Sequence, residues 1–347
     1  MSERLRAAVI GCGFFAQNHL NGWASIPTVE LVAVCDVDPA KAAAAAEHFG
    51  VPRHHTDAAT MLRDVRPDFV DIATTVASHR ALVELAAAER VPAIVQKPFG
   101  FDLADCEAMV AACSAAGVPL MVHENFRFQA PLRRVREFVD AGRIGTPHFG
   151  RISFRTGHDI YAKQPYLATD PRFIIADLGI HLLDLARFYF GEVEALACRT
   201  KRVNPRIKGE DTATMLLQHR GGVVSVVDCS YATPILPDPF PETLLEIDGD
   251  RGALRLRQGY RLEIGGREGP AETIDLEPAP LPWAERPWHV VQESVQRIEE
   301  HWADCLRHGR APETSGVDNL RTFTLVEAAY ESAASGKTVK VGEAHAS

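Results

Sequence analysis

Short apolar runs alternate with helical segments along the first 123 residues of the chain. The apolar runs predict strands and the segments between them predict helices, one of which begins at Pro39 while another ends before Gly117. Strands separated by helices indicate βαβ units and therefore a parallel sheet. The predicted strands are residues 5–10, 30–35, 68–73, 93–96 and 119–123, and the predicted helices are residues 14–24, 39–49, 57–65, 78–89 and 104–115.

The pattern changes after residue 123, where strand-like runs follow one another directly. Turn signals such as Gly221-Gly222 and Gly249-Asp250 separate these runs and indicate an antiparallel sheet. We predict an α/β domain with a parallel sheet at residues 1–123 and an α+β domain at 124–347. Whether the tail helix 317–335 packs on the second domain or returns to the first stays open. The other predicted helices are residues 131–141, 173–190 and 290–306, and the strands are 148–155, 193–202, 213–219, 223–231, 243–248, 253–257, 261–264 and 338–341.

Composition and charge exclude several classes of function. The 347 residues have a formal net charge of −9, and no cluster of Lys and Arg offers the basic face that nucleic-acid binding needs. No signal peptide and no long apolar run is present, so we expect a cytoplasmic protein with no membrane partner. The seven cysteines include no C-x-x-C pair, which is typical of buried thiols in a reducing compartment.

The histidines do not predict a metal site. His54 and His55 are adjacent, so they cannot share one face of a helix or strand. The pair His123-Glu124 lacks the H-E-x-x-H spacing of a zinc site. We therefore expect no bound metal.

A glycine-rich turn follows the first predicted strand and fits the G-x-G-x-x-A pattern of dinucleotide-binding turns. Its first glycine allows the tight turn, its second lets the backbone approach a pyrophosphate, and its alanine lets the helix pack close to the strand. An α/β domain without a ligand can carry a similar turn. Here, however, an acidic residue ends the second strand at the expected interval. The turn is Gly11-Cys12-Gly13-Phe14-Phe15-Ala16, and the acidic residue is Asp36.

Asp36 also bears on the choice of cofactor. Its carboxylate can accept hydrogen bonds from both ribose hydroxyls and would repel a 2′-phosphate. No Lys or Arg follows before Lys41, so we predict NAD rather than NADP. The alternative role for Asp36 is a helix N-cap, but Asp38, directly before Pro39, suits that role better.

Gln96-Lys97-Pro98 ends the predicted strand 93–96. Ligands of open parallel sheets bind beyond the carboxyl ends of the strands, so Lys97 is expected on the cofactor side. The alternative is an ordinary solvated lysine.

A polar stripe crosses the apolar helix 173–190. Asp177, His181 and Asp184 have the spacing i, i+4, i+7 and so share one helical face. A half-buried imidazole with a carboxylate neighbour is suited to general acid–base catalysis. A structural polar network inside a buried helix explains the same spacing equally well.

Taken together, these residues resemble the Gfo/Idh/MocA oxidoreductase family over nearly the whole chain. The glycine turn and Asp36 are shared by all Rossmann enzymes. The lysine-proline element and the Asp-x-x-x-His helix are specific to the family at this separation and in this order. The matching segments are residues 11–16, 36, 96–98, 123–128, 144–145 and 177–184.

The resemblance implies a Rossmann domain followed by a domain with a large open, mostly antiparallel sheet. Because that sheet often forms the subunit interface, we expect a homodimer or homotetramer. The resemblance assigns catalysis to Lys97, Asp177 and His181 and implies a cis Lys97–Pro98 peptide. It also places Thr74, Thr75 and His79 near the cofactor ribose, and Asn125 and Arg127 in the nicotinamide or substrate pocket. Expected cofactor ligands are therefore Gly11, Gly13, Phe14, Phe15, Asp36, Thr74, Thr75, His79, Gln96 and Lys97, and expected substrate ligands are Lys97, Asn125, Arg127, Asp177 and His181. His158 is added to the substrate ligands as a polar side chain that can meet sugar hydroxyls.

One position departs from the family pattern, because Gln96 stands where the family usually has glutamate. A carboxylate beside the lysine would favour the charged ammonium, and an amide would not. Lys97 is therefore expected to release its proton more readily than in a relative with glutamate.

The implied reaction is the oxidation of a sugar or polyol hydroxyl. His181, oriented by Asp177, removes the hydroxyl proton while hydride leaves the same carbon, and Lys97 bonds the reacting oxygen. At an anomeric carbon the product is a lactone. Segments 13–19 and 228–233 resemble family members that oxidise the branched pentose apiose. Inositol and other polyol dehydrogenases, glycosidases that use NAD transiently, and non-enzymatic sugar sensors share the fold and remain alternatives.

Overall fold

The computed structural model describes residues 4–266 and 270–342. The chain forms two compact units, and the tail divides between them. The first unit contains the residues up to Asn125 together with Gln292–Arg321, and the second contains Phe126–Val291 together with the residues from Thr322 onward. The division thus falls two residues after the expected boundary. The expected unbroken second domain, 124–347, lacks the segment 292–321, because that segment packs with the first unit.

The first unit contains a six-stranded sheet in which every pairing of neighbouring strands is parallel. Its order is β3-β2-β1-β4-β5-β6, the doubly wound arrangement that βαβ units produce. The sequence pattern missed only the short strand β3, which has two residues. The elements are β1 (Leu5–Ile10), α1 (Ala16–Ser25), β2 (Val29–Cys35), α2 (Pro39–Phe49), β3 (His54–His55), α3 (Ala58–Val65), β4 (Phe69–Ile72), α4 (His79–Ala88), β5 (Ala93–Gln96), α5 (Leu103–Ala116) and β6 (Leu120–His123).

The second unit contains a nine-stranded sheet that is antiparallel except where β7 pairs with β10. The sheet order is β14-β13-β12-β11-β7-β10-β9-β8-β15. The sequence pattern missed the edge strand β14. The elements are α6 (Ala130–Asp140), β7 (Pro147–Arg155), α7 (Ile180–Phe190), β8 (Val193–Lys201), β9 (Thr212–His219), β10 (Val224–Ser230), β11 (Leu244–Gly249), β12 (Gly252–Arg257), β13 (Arg261–Gly266), β14 (Glu272–Asp275), α8 (His289–His308), α9 (Gly316–Ser335) and β15 (Val339–Lys340).

One face of the second sheet is covered by α7. Alternate residues of β9, among them Met215 and Leu217, are fully buried, whereas Leu216 between them is 52% exposed. On β7 the ring of Phe190 approaches so closely that a methyl group at Gly150 would lie 2.1 Å from it. None of the helices within the described ranges has the length and apolar character that a membrane crossing requires.

The expected continuous helix 173–190 is interrupted. Ile175–Gly179 forms one π-helical turn, and the regular helix α7 begins only after it, at Ile180. A π-turn inserts one extra residue per turn, so the spacing i, i+4, i+7 does not place three residues on a single α-helical face. The apolar periodicity predicts the helix but carries no signal for this local change in hydrogen bonding.

Helix α8 supplies several fully buried side chains to the first unit, among them Trp302 and Glu299. The Trp302 ring lies edge-to-face against Phe69, with ring centroids 6.3 Å apart. The Glu299 carboxyl presses against Gly22, where a methyl group would lie 2.1 Å from Oε2. Within residues 4–266 and 270–342, neither Glu299 oxygen has a hydrogen-bond partner, and His19 Nδ1 is 3.8 Å away. Burial, followed by the nearby Asp71 carboxylate, raises the pKa of Glu299 well above its ordinary value.

This buried acid makes stability depend on pH. The folded protein keeps a proton on Glu299 that the unfolded chain releases above the ordinary carboxyl pKa, so the free energy of unfolding falls as pH rises through that region. Glu299→Gln removes the ionisation, so we expect the variant to match the wild type near about pH 4 and to exceed it by about 1 kcal/mol or more near about pH 7.

Urea unfolding across that pH range measures the difference. Glu107, an exposed glutamate of α5, provides the matched control, because Glu107→Gln should give no pH-dependent gain. Parallel curves for wild type and Glu299→Gln from low to neutral pH would contradict the assignment.

Candidate active site

The glycine turn after β1 leaves space for a ligand beside the backbone. Gly11 has φ +100°, and a methyl group there would lie 2.5 Å from the carbonyl oxygen of Ala73, at the end of β4. Gly13 has no atom within 4 Å of such a methyl group, and Phe14 is 57% exposed. The tight turn and the open space at the start of α1 therefore fit a bound pyrophosphate, as the sequence predicts.

Asp36 follows β2 and faces this turn. One carboxylate oxygen accepts the Cys12 N–H at 2.8 Å, and the other accepts the Asp38 N–H at 2.9 Å. Each oxygen retains a lone pair for a ribose hydroxyl. Asp38 caps α2 by accepting the Ala40 N–H at 2.9 Å, which confirms its predicted role and leaves Asp36 to the loop.

The loop after β4 has one exposed part and one buried anchor. Thr75 is exposed, and Thr74 is half-buried, with its hydroxyl accepting a hydrogen bond from Ser78 at 2.8 Å. His79 is fully buried, and its ring nitrogens contact the carbonyl oxygens of Thr74, Pro98 and Phe99 at 3.1–3.2 Å. Burial lowers the pKa of His79. His79 thus ties the loop to the segment after β5, and the two threonines are the groups that remain accessible.

Lys97 lies at the end of β5, half-buried, and its peptide bond to Pro98 is cis, as expected. The side-chain oxygen Oε1 of Gln96 accepts the Lys97 N–H at 2.5 Å, and the Gln96 side chain is buried in the first unit. Asn125 is also buried and donates to Ser294 Oγ of α8 at 2.7 Å.

In the second unit, the π-turn carries Asp177, and His181 follows it in α7. The His181 ring is 4% exposed and stacks on Phe126, with centroids 3.9 Å apart and planes 5° from parallel. Asp177 is half-buried and close to Tyr231, whose pKa is raised by burial and by this carboxylate. Single π-turns inside helices are frequent at functional sites.

An aromatic cluster joins His181 to His158. Phe154 lies 6.5 Å from Phe126, 6.3 Å from Tyr231 and 6.2 Å from Phe240, measured between ring centroids. His158 stacks on Phe240 at 3.9 Å. The second unit thus brings His158, Asp177 and His181 to one aromatic wall. No sequence pattern indicates this wall, since its rings come from distant segments with no common spacing.

Arg127 and Asp184 form a separate structural pair. The guanidinium of Arg127 donates two hydrogen bonds to Asp184, at 2.7 and 2.5 Å, and both side chains are buried. Thr322 donates to the same carboxylate at 3.0 Å. The Asp184 carboxylate therefore binds the Arg127 guanidinium, although the spacing of Asp184 suggests a polar stripe with His181. The pairing spans 57 residues, so no local pattern reveals it.

His19, His123 and Glu299 form the group of described residues that comes closest to a metal-binding set, with ligand atoms within 4.8 Å of one another. The His19 and His123 rings are stacked, 4.1 Å apart and 29° from parallel. Stacked rings direct their in-plane lone pairs along separate planes, and both His19 nitrogens already contact Asp71 and Gln96. These residues fit a metal poorly, and the absence of a metal stays a prediction.

Comparison with known proteins identifies the family. A profile of the oxidoreductase family with an NAD-binding Rossmann fold matches residues 5–124, and the Gfo/Idh/MocA C-terminal domain matches residues 132–255. The D-apiose dehydrogenase of Rhizobium rhizogenes is 56% identical over 97% of this chain and 98% of its own length. The chain belongs to the Gfo/Idh/MocA oxidoreductase family. The predicted family and fold class are thereby confirmed.

Two further proteins are similar over almost the full length. The D-apiose dehydrogenase of Paraburkholderia graminis is 55% identical over 98% of this chain and 90% of its own. The crystal structure of an oxidoreductase from Agrobacterium radiobacter, in complex with NAD+, L-tartaric acid and magnesium, has a TM-score of 0.96 at 55% identity and covers 98% of this chain and 99% of that one. The present chain is thus an NAD-binding dehydrogenase of this family, which confirms the predicted cofactor and enzyme class.

The two neighbouring aspartates after β2 provide a test of cofactor recognition. Asp36→Ala removes the ribose acceptor and the partner of two loop N–H groups, so we expect NAD affinity to fall about ten-fold or more and NADP to be excluded less strictly. Asp38→Ala removes only the cap of α2 and should lower stability by about 1 kcal/mol while NAD affinity is kept. Calorimetric titration with both cofactors measures this. Equal losses in the two variants would show that Asp36 acts only on loop structure.

Proposed function

We propose that this protein is an NAD-dependent D-apiose dehydrogenase that oxidises the sugar at its anomeric carbon to the lactone. The observation that carries the proposal is the 55–56% identity, over almost the whole chain, with two D-apiose dehydrogenases. The inositol dehydrogenases among the relatives are less similar, at 24–30% identity. A chain that retains Lys97, Asp177 and His181 also retains the groups that the reaction needs.

Oxidation of a cyclic hemiacetal to a lactone removes one hydride from the carbon and one proton from its hydroxyl oxygen. Bound NAD supplies the hydride acceptor. His181 takes the proton, and the face-to-face contact with Phe126 holds the plane of its ring. Asp177 favours the protonated ring that results. Lys97 donates a hydrogen bond to the same oxygen and stabilises the negative charge that develops there.

Sugar recognition is assigned to the aromatic wall of the second unit. Flat rings such as Phe240 and Tyr231 offer apolar surface for the C–H face of a sugar, and His158 provides a polar edge beside Phe240. The Asp238 carboxylate near His158 accepts hydrogen bonds from Thr156 Oγ1 and Gly157 N, which fixes the loop that carries His158.

The proposed location is the cytoplasm, and the state of the cysteines supports it. All seven are free and buried, as expected for a reducing compartment.

The decisive experiment is a panel of aldoses and polyols incubated with NAD or NADP while NADH or NADPH formation is followed. We expect D-apiose with NAD to give the highest kcat/KM. Greater activity on an inositol would replace the substrate assignment. Sugar conversion without net NADH would indicate transient use of the cofactor, and NAD binding without any turnover would indicate a sensor.

Two substitutions test the assigned roles. His181→Asn should lower kcat by about a hundred-fold to ten-thousand-fold, because the proton acceptor is lost. Lys97→Met should lower it by about a hundred-fold to a thousand-fold, because one donor to the oxyanion is lost. The exposed His148→Asn is the matched control and should turn over normally. Undiminished kcat in a folded, NAD-binding variant would remove the role of that residue.

The open sheet is the proposed interface of a homodimer or homotetramer. Its outer face exposes Leu216 and Val224, which are 52% and 40% accessible. On the same face Asp228 is 2% exposed because Arg151 and Arg155 contact it at 3.0 and 3.2 Å. This mixture of apolar side chains and neutralised charge suits burial against a second copy.

A charge placed on this face tests the interface. Leu216→Arg should lower the mass measured by light scattering to that of a smaller species, because an unpaired guanidinium would be buried. Val203→Arg, at an equally exposed position in a loop, should leave the mass unchanged. An unaltered mass for Leu216→Arg would exclude this face of the sheet.

A further inference from the structure

The side chain of Gln96 connects the backbone of Lys97 to a buried histidine. Gln96 ends β5 in register with His123 of β6 and is 8% exposed. Its oxygen accepts the Lys97 N–H at 2.5 Å, and its nitrogen lies 3.2 Å from Nε2 of His19. A backbone N–H can only donate, so the amide oxygen must face Lys97 and the NH₂ group must face His19.

That orientation determines the proton position on His19. An NH₂ group donates, so Nε2 of His19 accepts and the ring proton is on Nδ1. Nδ1 lies 2.8 Å from Asp71 Oδ2, to which it donates. The hydrogen bonds thus run in one direction, from Gln96 through His19 to the Asp71 carboxylate, and His19 is neutral.

The residues of this hydrogen-bond series are held in place by packing inside the first unit. Asp71 Oδ2 also accepts the indole N–H of Trp23 at 2.7 Å. The His19 ring is stacked on His123 and meets Phe15 edge-on at 5.6 Å. His19 and Asp71 are completely buried, so water does not compete for these bonds. On the other side of Lys97, His79 contacts the Pro98 and Phe99 carbonyl oxygens and holds the following backbone.

We propose that Asp71 and His19 are positioning residues, which fix the Gln96 amide and thereby hold the backbone from which Lys97 reaches the reacting oxygen. The inference rests on the proposed catalytic role of Lys97. A rigid hydrogen bond at the N–H of Lys97 restricts the direction of its long side chain, and a displacement of about 1 Å at a catalytic group lowers turnover about a hundred-fold.

The same geometry explains what the amide at position 96 changes. A carboxylate there would still accept the Lys97 N–H, but its second oxygen would face Nε2 of His19 as an acceptor. The ring would then need a proton on each nitrogen, one for Asp71 and one for the new carboxylate. The amide therefore acts first on the protonation of His19, and the effect that the sequence suggests for the Lys97 ammonium stays a prediction.

Gln96→Met and Gln96→Glu separate positioning from simple packing. Gln96→Met keeps the volume and removes both hydrogen bonds, so kcat should fall about ten-fold to a hundred-fold. Gln96→Glu keeps an acceptor for the Lys97 N–H, so it should restore most of kcat. Gln258→Met, an exposed glutamine in a turn, is the matched control.

Nitrogen NMR of ¹⁵N-histidine-labelled protein gives a readout that needs no substrate. The His19 signals, assigned by difference with a His19→Gln protein, should report Nδ1–H and bare Nε2 in the wild type, and two protonated nitrogens in Gln96→Glu. A wild-type Nε2–H form would overturn the proposal.

The Lys97→Met variant distinguishes the catalytic role proposed for Lys97 from the positioning role proposed for Asp71 and His19. If Lys97→Met turns over normally, the proposed function fails for this residue and the positioning role fails with it. If Lys97→Met is inactive while Gln96→Met turns over like the wild type, only the positioning role is overturned. Loss of kcat in Gln96→Met with no recovery in Gln96→Glu would also overturn it, since removal of packing alone explains that result.

Discussion

All six strands of the first sheet run parallel, so their carboxyl ends meet at one edge, and the cofactor half of the molecule depends on that constraint. The glycine turn, Asp36, the threonine loop and Lys97 each follow a different strand. They are distant in sequence and adjacent in space because the strands are neighbours. The approach of β1 to the end of β4 is so close that Gly11 has no room for a side chain.

Burial gives the polar groups beneath this edge their properties. Asp71 and His19 are fully buried, so their hydrogen bonds with each other and with Gln96 are shielded from solvent, and burial also raises the pKa of Glu299. Glu299 lies on α8, which returns to the first unit after the chain has completed most of the second. The tail is thus part of the cofactor domain's core.

In the second unit, the candidate catalytic residues are not brought together by the carboxyl ends of parallel strands. One π-turn precedes α7 and places Asp177 and His181 at an aromatic wall built from several segments. The ring of Phe126 stacks on His181 and fixes the plane of its ring. The buried pair Arg127–Asp184 anchors α7 nearby.

The sequence by itself determined most of the strands and helices and the order of the two architectures, since apolar periodicity and glycine turns are local signals. Motifs of short range made Lys97, Asp177 and His181 the candidate catalytic residues. Only the tertiary structure decided the partner of Asp184, the π-turn, the return of α8 and the contacts of Gln96. Those features depend on side chains that lie far apart along the chain and meet only when the core excludes water, so no local spacing encodes them.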